Sequence, residues 1–108
     1  EVKRMGSDLV VTIVNRGEGE KVVRASKKAG AEGGTIMLGR GTGIHEQVKL
    51  FGFNIEPEKE IVLTLIPYDK SQAVLETIVR EVQLEKPGRG IAFIIDVKAV
   101  AGISHLLG

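Results

Sequence analysis

Two stretches of the chain are apolar on consecutive positions instead of alternate ones. Residues 9–14 read LVVTIV and residues 60–66 read EIVLTLI. A strand with one wet face alternates apolar and polar residues, whereas these two are apolar on both sides. Both are therefore expected at the centre of a sheet. Residues 33–38 (GGTIML) form a second strand, weakened by its glycines, and residues 91–97 (IAFIIDV) form the last one. A helix is expected from about 17 to 29, with Val22, Val23, Ser26 and Ala29 on one side and Gly30 as its stop. The clearest helix runs from 69 to about 84. Its residues Val74, Leu75, Ile78, Val79 and Val82 make one apolar stripe. Asn15 and Glu18, and likewise Asp69 and Gln72, stand three residues apart, as in a capping box. The remainder divides into a polar lead-in (1–7), a long connection (39–53), a Gly/Pro loop (85–90) and a mildly apolar tail (99–108).

The element order β-α-β-β-α-β is the signature of an α+β, ferredoxin-like fold, with a four-stranded antiparallel sheet and two helices on one face. At 108 residues the chain fits a single domain spanning 1–108. Two helices cover only one side of such a sheet, so Val10, Val14, Val62 or their neighbours are expected to form exposed apolar surface. Surface of that kind marks association. Each Val or Ile side chain it buries is worth roughly 1.5–3 kcal/mol, which favours an oligomer.

Composition narrows the function. Hydrophobic residues are 43% and charged residues 27% of the chain, and the net charge is +1. No block of like charge forms an arm for nucleic acid. The aromatic residues are Phe51, Phe53, Phe93 and Tyr68, so the central strands carry none of the stacking residues of an RNA-recognition sheet. The chain has no cysteine, which excludes disulfides and thiolate metal sites and fits a reducing cytoplasm. No apolar run approaches the ~20 residues that span a bilayer, and no signal-peptide pattern opens the chain.

Two glycine clusters can carry chemistry. Gly39-Arg40-Gly41-Thr42-Gly43 follows a strand. It reads either as a nucleotide or anion cradle or as a loop root that needs unusual backbone angles. No helix opens after its third glycine, so it is not a dinucleotide fingerprint. Lys86-Pro87-Gly88-Arg89-Gly90 offers two cations and two glycines to a phosphate, or else simply stops the second helix. His45 and His105 have no partner at ligand spacing, so no metal site is expected. Ser7, Ser26, Ser71 and Ser104 lack an elbow and a His/Asp set, so no catalytic residues are expected and the chain does not read as an enzyme.

Taken in order, these segments resemble the PII signal-transduction proteins, in a divergent, PII-like branch. The stretch from Gly30, Gly33 and Thr35 to Gly39, Gly41 and Gly43 is similar to the PII second strand running into its T-loop. Pro57 followed by EIVLTLI resembles the strand after that loop, and Pro87 to Phe93 resembles the B-loop and its strand. The resemblance implies a homotrimer with nucleotide sites in clefts between subunits. The adenine would lie against the strand at Thr35. Gly41 and Gly43 would line the cleft at the T-loop root, and Gly88, Arg89 and Gly90 would wrap the phosphates. Arg40 and Lys86 are the remaining cations of these segments. The T-loop would dock on an enzyme, transporter or regulator in nitrogen or carbon metabolism or transport, in the cytoplasm.

Departures from the family pattern modify that expectation. Ile91 stands at the B-loop lysine position, and Gly102 and Ser104 stand where arginines reach the phosphates. His45 lies near the position of a glutamine that helps bind metal and 2-oxoglutarate. The T-loop, 43–53, is short and has no tyrosine. AMP, ADP or a cyclic nucleotide is therefore expected over ATP, and 2-oxoglutarate is not expected. Residues 43–53 are expected to be the most mobile internal segment, with Phe51 and Phe53 anchoring its root or a partner, or else packing on the domain edge. The alternative is an ACT-like module that binds a small metabolite. A nucleotide site requires Arg89 and Lys86 to share a cleft with Thr35, whereas an ACT-like site lies at a helix-edge interface.

Overall fold

The computed structural model describes residues 2–3, 6–42, 48–50, 53–55 and 57–102. In chain order the elements are β1 (Val2–Lys3), β2 (Ser7–Asn15), α1 (Gly19–Lys28), β3 (Thr35–Arg40), β4 (Val48–Leu50), β5 (Phe53–Ile55), β6 (Glu58–Pro67), α2 (Tyr68–Glu81), β7 (Gly90–Val97) and β8 (Val100–Ala101). Strands β3, β6, β2 and β7 lie side by side in that order, each antiparallel to its neighbour. The two doubly apolar stretches, β2 and β6, are the central pair. Each helix links two parallel strands across the one between them, which gives the ferredoxin-like arrangement.

Register decides which side chains the helices cover. Val10 stands opposite Thr64 and Ile94, and Thr12 stands opposite Val62 and Ala92. Side chains alternate across the pleat, so these residues share one face. Val10, Val14, Val62 and Ile66 form a buried core there with Val22 and Ala25 of α1 and Val74, Ile78 and Val82 at α2. Val74, Ile78 and Val82 are spaced along one side of a helix, so these three residues of the stripe read from sequence face the sheet, while Leu75 and Val79 are half-buried and line a groove along α2. Val10, Val14 and Val62 are thus on the covered face. Their odd-numbered neighbours line the other side: Leu9, Val11 and Ile13, then Ile61, Leu63 and Leu65, then Ile91, Phe93 and Ile95. Of these, Phe93, Ile95 and Ile91 are 39%, 46% and 56% exposed.

Neither capping box forms. Asn15 gives its side chain to Lys59 and Gly88, and the Gly19 N–H of α1 donates instead to Glu60 Oε1 at 2.7 Å. At α2 the cap position is Pro67, whose side chain has no acceptor, and Asp69 lies inside the first turn. The polar lead-in contains β1, which pairs with β8 of the tail, and Ser7 already belongs to β2. Within the long connection, Gly39 and Arg40 complete β3, and β4 pairs with β5 as a hairpin. Gly43, His45, Phe51, Ser104 and His105 lie outside the described residues. The mobility expected for 43–53 therefore falls partly outside them too.

Candidate ligand-binding site

The residues singled out from sequence fall into four places. Thr35 opens β3 at one edge of the sheet and lies in one row with Leu63, Val11 and Phe93. It lines a pocket of about 260 Å³ with Leu9, Glu32, Gly33, Gly34, Leu63 and Leu65. Arg40 closes β3 opposite Glu58, and the Gly41 N–H donates to the Pro57 carbonyl at 3.2 Å. Gly88, Arg89 and Gly90 lead into β7, at the opposite edge. Lys86 accepts from the Arg89 N–H through its carbonyl at 3.3 Å, but it lines a different feature, a groove along α2 with Leu75, Val79 and Gln83 among others.

Gly90 and Gly88 hold a backbone shape that other residues resist. Gly90 has φ +139°, and a Cβ there would stand 2.3 Å from the Ile13 carbonyl oxygen, so the loop closes directly onto β2. Gly88 has φ +79° with open space around it, which leaves its face free for a ligand.

The loop is tied down on both sides of the sheet. On the open side, Asn15 Nδ2 donates to the Gly88 carbonyl at 3.0 Å, and Lys59 Nζ donates to Asn15 Oδ1 at 2.7 Å. Lys59 is only 7% exposed. On the helix side, Arg89 donates to Glu18 Oε1 at 2.9 Å and, through Nε, to the Val82 carbonyl at 3.4 Å. Arg89 thereby joins the end of α2 to the start of α1. Sequence spacing missed Asn15, Lys59 and Glu18. The Asn15 and Glu18 pair looked like a cap, whereas the sheet register is what aligns Asn15 with Lys59.

Within one chain Thr35 and the Gly88–Gly90 loop do not share a cleft. Three inter-strand spacings separate β3 from β7, roughly 14 Å at about 4.8 Å each. Among the described residues there is no cluster of His, Cys, Asp or Glu suited to a metal ion, and no helix is long and apolar enough to cross a membrane.

The family model described as nitrogen regulatory protein P-II matches residues 7–105. The chain belongs to the P-II family. That match begins at the first residue of β2 and takes in the whole four-stranded sheet, both helices and the glycine loop before β7. The crystal structure of Arabidopsis thaliana PII bound to citrate shares the fold. It has a TM-score of 0.66 and 22% identity, over 86% of this chain and 78% of that chain. No curated protein matches the sequence. P-II proteins are regulatory signalling proteins, and the P-II core here is the part that carries both glycine loops.

Proposed function

We propose that this P-II protein is a homotrimeric cytoplasmic regulator that binds an adenine nucleotide between subunits and acts on a target protein through the segment after Arg40. One observation carries the reading. The pocket at Thr35 and the glycine loop at Gly88–Gly90 sit at opposite edges of one sheet, so each chain offers two halves of a site that a neighbouring copy completes. The apolar face of Leu9, Ile13, Leu63, Phe93 and Ile95 supports assembly of such copies. Family membership supports regulation over catalysis, with an enzyme, transporter or regulator as the target.

In this reading the base lies at Thr35 against Leu63 and Leu65, the Gly41 backbone lines the cleft, and the Gly88 and Gly90 backbone takes the phosphate. Arg40 and Lys86 are the nearby cations of the two loops, and Arg89 is the cation within the phosphate loop itself. Each charge-assisted hydrogen bond to phosphate contributes roughly 1.5–3 kcal/mol. With Ile91, Gly102 and Ser104 uncharged, a long polyphosphate gains little over a short one. AMP, ADP or a cyclic nucleotide is favoured over ATP, and 2-oxoglutarate is not expected to bind.

Calorimetry with AMP, ADP, ATP, cyclic AMP and 2-oxoglutarate tests this, alongside sedimentation. The expected result is a trimer that binds a short nucleotide, with Arg89→Ala weakening it about tenfold, or ~1.4 kcal/mol. Tight ATP binding untouched by Arg89→Ala, or a stable monomer at micromolar concentration, overturns the reading.

A further inference from the structure

The loop that would hold phosphate carries one cation, and that cation already has a carboxylate partner. Arg89 reaches out of the Gly88–Gly90 loop into the helix layer and donates to Glu18 Oε1 at 2.9 Å. Its second contact, Nε to the Val82 carbonyl, is long at 3.4 Å. The pair is not sealed off, since the side chains are 36% and 23% exposed. A partly exposed pair of this kind is weak enough to exchange.

Glu18 is also placed so that it is not stranded when Arg89 leaves. Lys21 Nζ lies 3.4 Å from Glu18 Oε2 on the next turn. Glu18 occupies the cap position of α1, where the free N–H groups of the helix favour a negative charge. Meanwhile the loop backbone does not depend on the pair, because Asn15 holds Gly88 from the other side of the sheet. The guanidinium is therefore free to swing while the loop keeps its shape.

Resting on the nucleotide reading above, we propose that Glu18 is an internal counter-ion that competes with the ligand's phosphoryl group for Arg89, and so sets the affinity of the site. Phosphate binding then exchanges one anionic partner of Arg89 for another, and only the difference between them appears as affinity. Removing the internal competitor tightens the ligand. Removing Arg89 makes Glu18 irrelevant.

The experiment is a double-mutant cycle on Glu18→Gln and Arg89→Ala, read in two ways. In the full chain, ADP binding by calorimetry is expected to tighten about threefold in Glu18→Gln. The same change in the Arg89→Ala background is expected to have no effect. In the ligand-free chain, thermal unfolding is expected to show non-additive effects of the two substitutions, which reports the pair directly. ADP that binds equally well or less well to Glu18→Gln overturns the competition, as does a gain that survives Arg89→Ala or strictly additive unfolding. If the ligand-free pair couples but neither the parent chain nor Glu18→Gln binds ADP, the nucleotide reading of the site fails, and with it the competition. The two failures are thus distinguishable.

Discussion

The two faces of the sheet are made from the same kinds of residue and end in opposite states. On the helix side, Val10, Val14, Val62 and Ile66 are buried against Val22, Val74 and Ile78. On the other side, Leu9, Ile13, Leu63 and Leu65 are half-buried, and Phe93, Ile95 and Ile91 along β7 are well exposed. The difference teaches that one face completes the fold of the chain while the other is left for something outside it. Both candidate half-sites touch that second face: Leu63 and Leu65 line the Thr35 pocket, and Asn15 meets the Gly88 carbonyl beside Lys59. Binding and assembly are expected to share it, and stability to belong to the other.

Substitutions that hit one face alone separate these roles. Ile78→Ala empties a fully buried position under the helix layer and is expected to cost about 2–5 kcal/mol of stability. Urea unfolding measures it, and a loss under 1 kcal/mol would show that the covered face is not where the fold is held. Phe93→Glu places a charge on the open face, where the side chain is already 39% exposed. It is expected to leave the circular dichroism of the chain intact and, in sedimentation, to convert the proposed trimer to monomer. Unfolding by Phe93→Glu would mean that the two faces contribute alike.

Much of the covered face was legible in the sequence, and little of the polar wiring was. The apolar stretches at 9–14 and 60–66 announce central strands because hydrophobic runs survive any choice of register. Which of their residues face the helices was not legible, because a one-residue shift in the pleat exchanges Val10 for Leu9. The glycine loops were visible as backbone chemistry. Their anchors were not, since Asn15 and Gly88 lie 73 residues apart and meet only once β2 pairs with β7. Arg89 shows the same limit. Its charge is visible in the sequence, but its link to Glu18 depends on the end of α2 lying over the start of α1.

A smaller effect is expected at the junction of the open face and the glycine loop. Asn15→Ala removes the donor to Gly88 and one acceptor of Lys59, a residue that is 7% exposed. Loss of a partner by a buried polar group costs roughly 1–3 kcal/mol. The glycine loop and the start of β7 are expected to lose hydrogen-exchange protection at Gly88 to Ile91, with nucleotide affinity falling several-fold. Unchanged protection there would show that Gly90, packed on the Ile13 carbonyl, holds the loop without Asn15.

The smallest expected effect lies on the solvent side of the helix layer, where Lys28 of α1 meets Glu81 of α2 at 2.6 Å. The hydrogen bond from Lys28 and then its charge hold the Glu81 carboxyl below its ordinary value of 4.5, with Arg80 adding to this and burial opposing it. A carboxyl with a depressed folded value stabilises the fold fully above its unfolded value, and that stabilisation is lost as pH falls through the folded one. Lys28→Met removes the cause. The difference in unfolding midpoint between the parent chain and Lys28→Met is therefore expected to be constant near neutral pH. It is expected to shrink once the pH drops below about 4.5, the ordinary value of Glu81. A difference that persists unchanged to strongly acid pH would place the role of Lys28 in packing of its stem over α2, not in its charge. The covered face would then be held at its rim, as in its interior, by apolar contact alone.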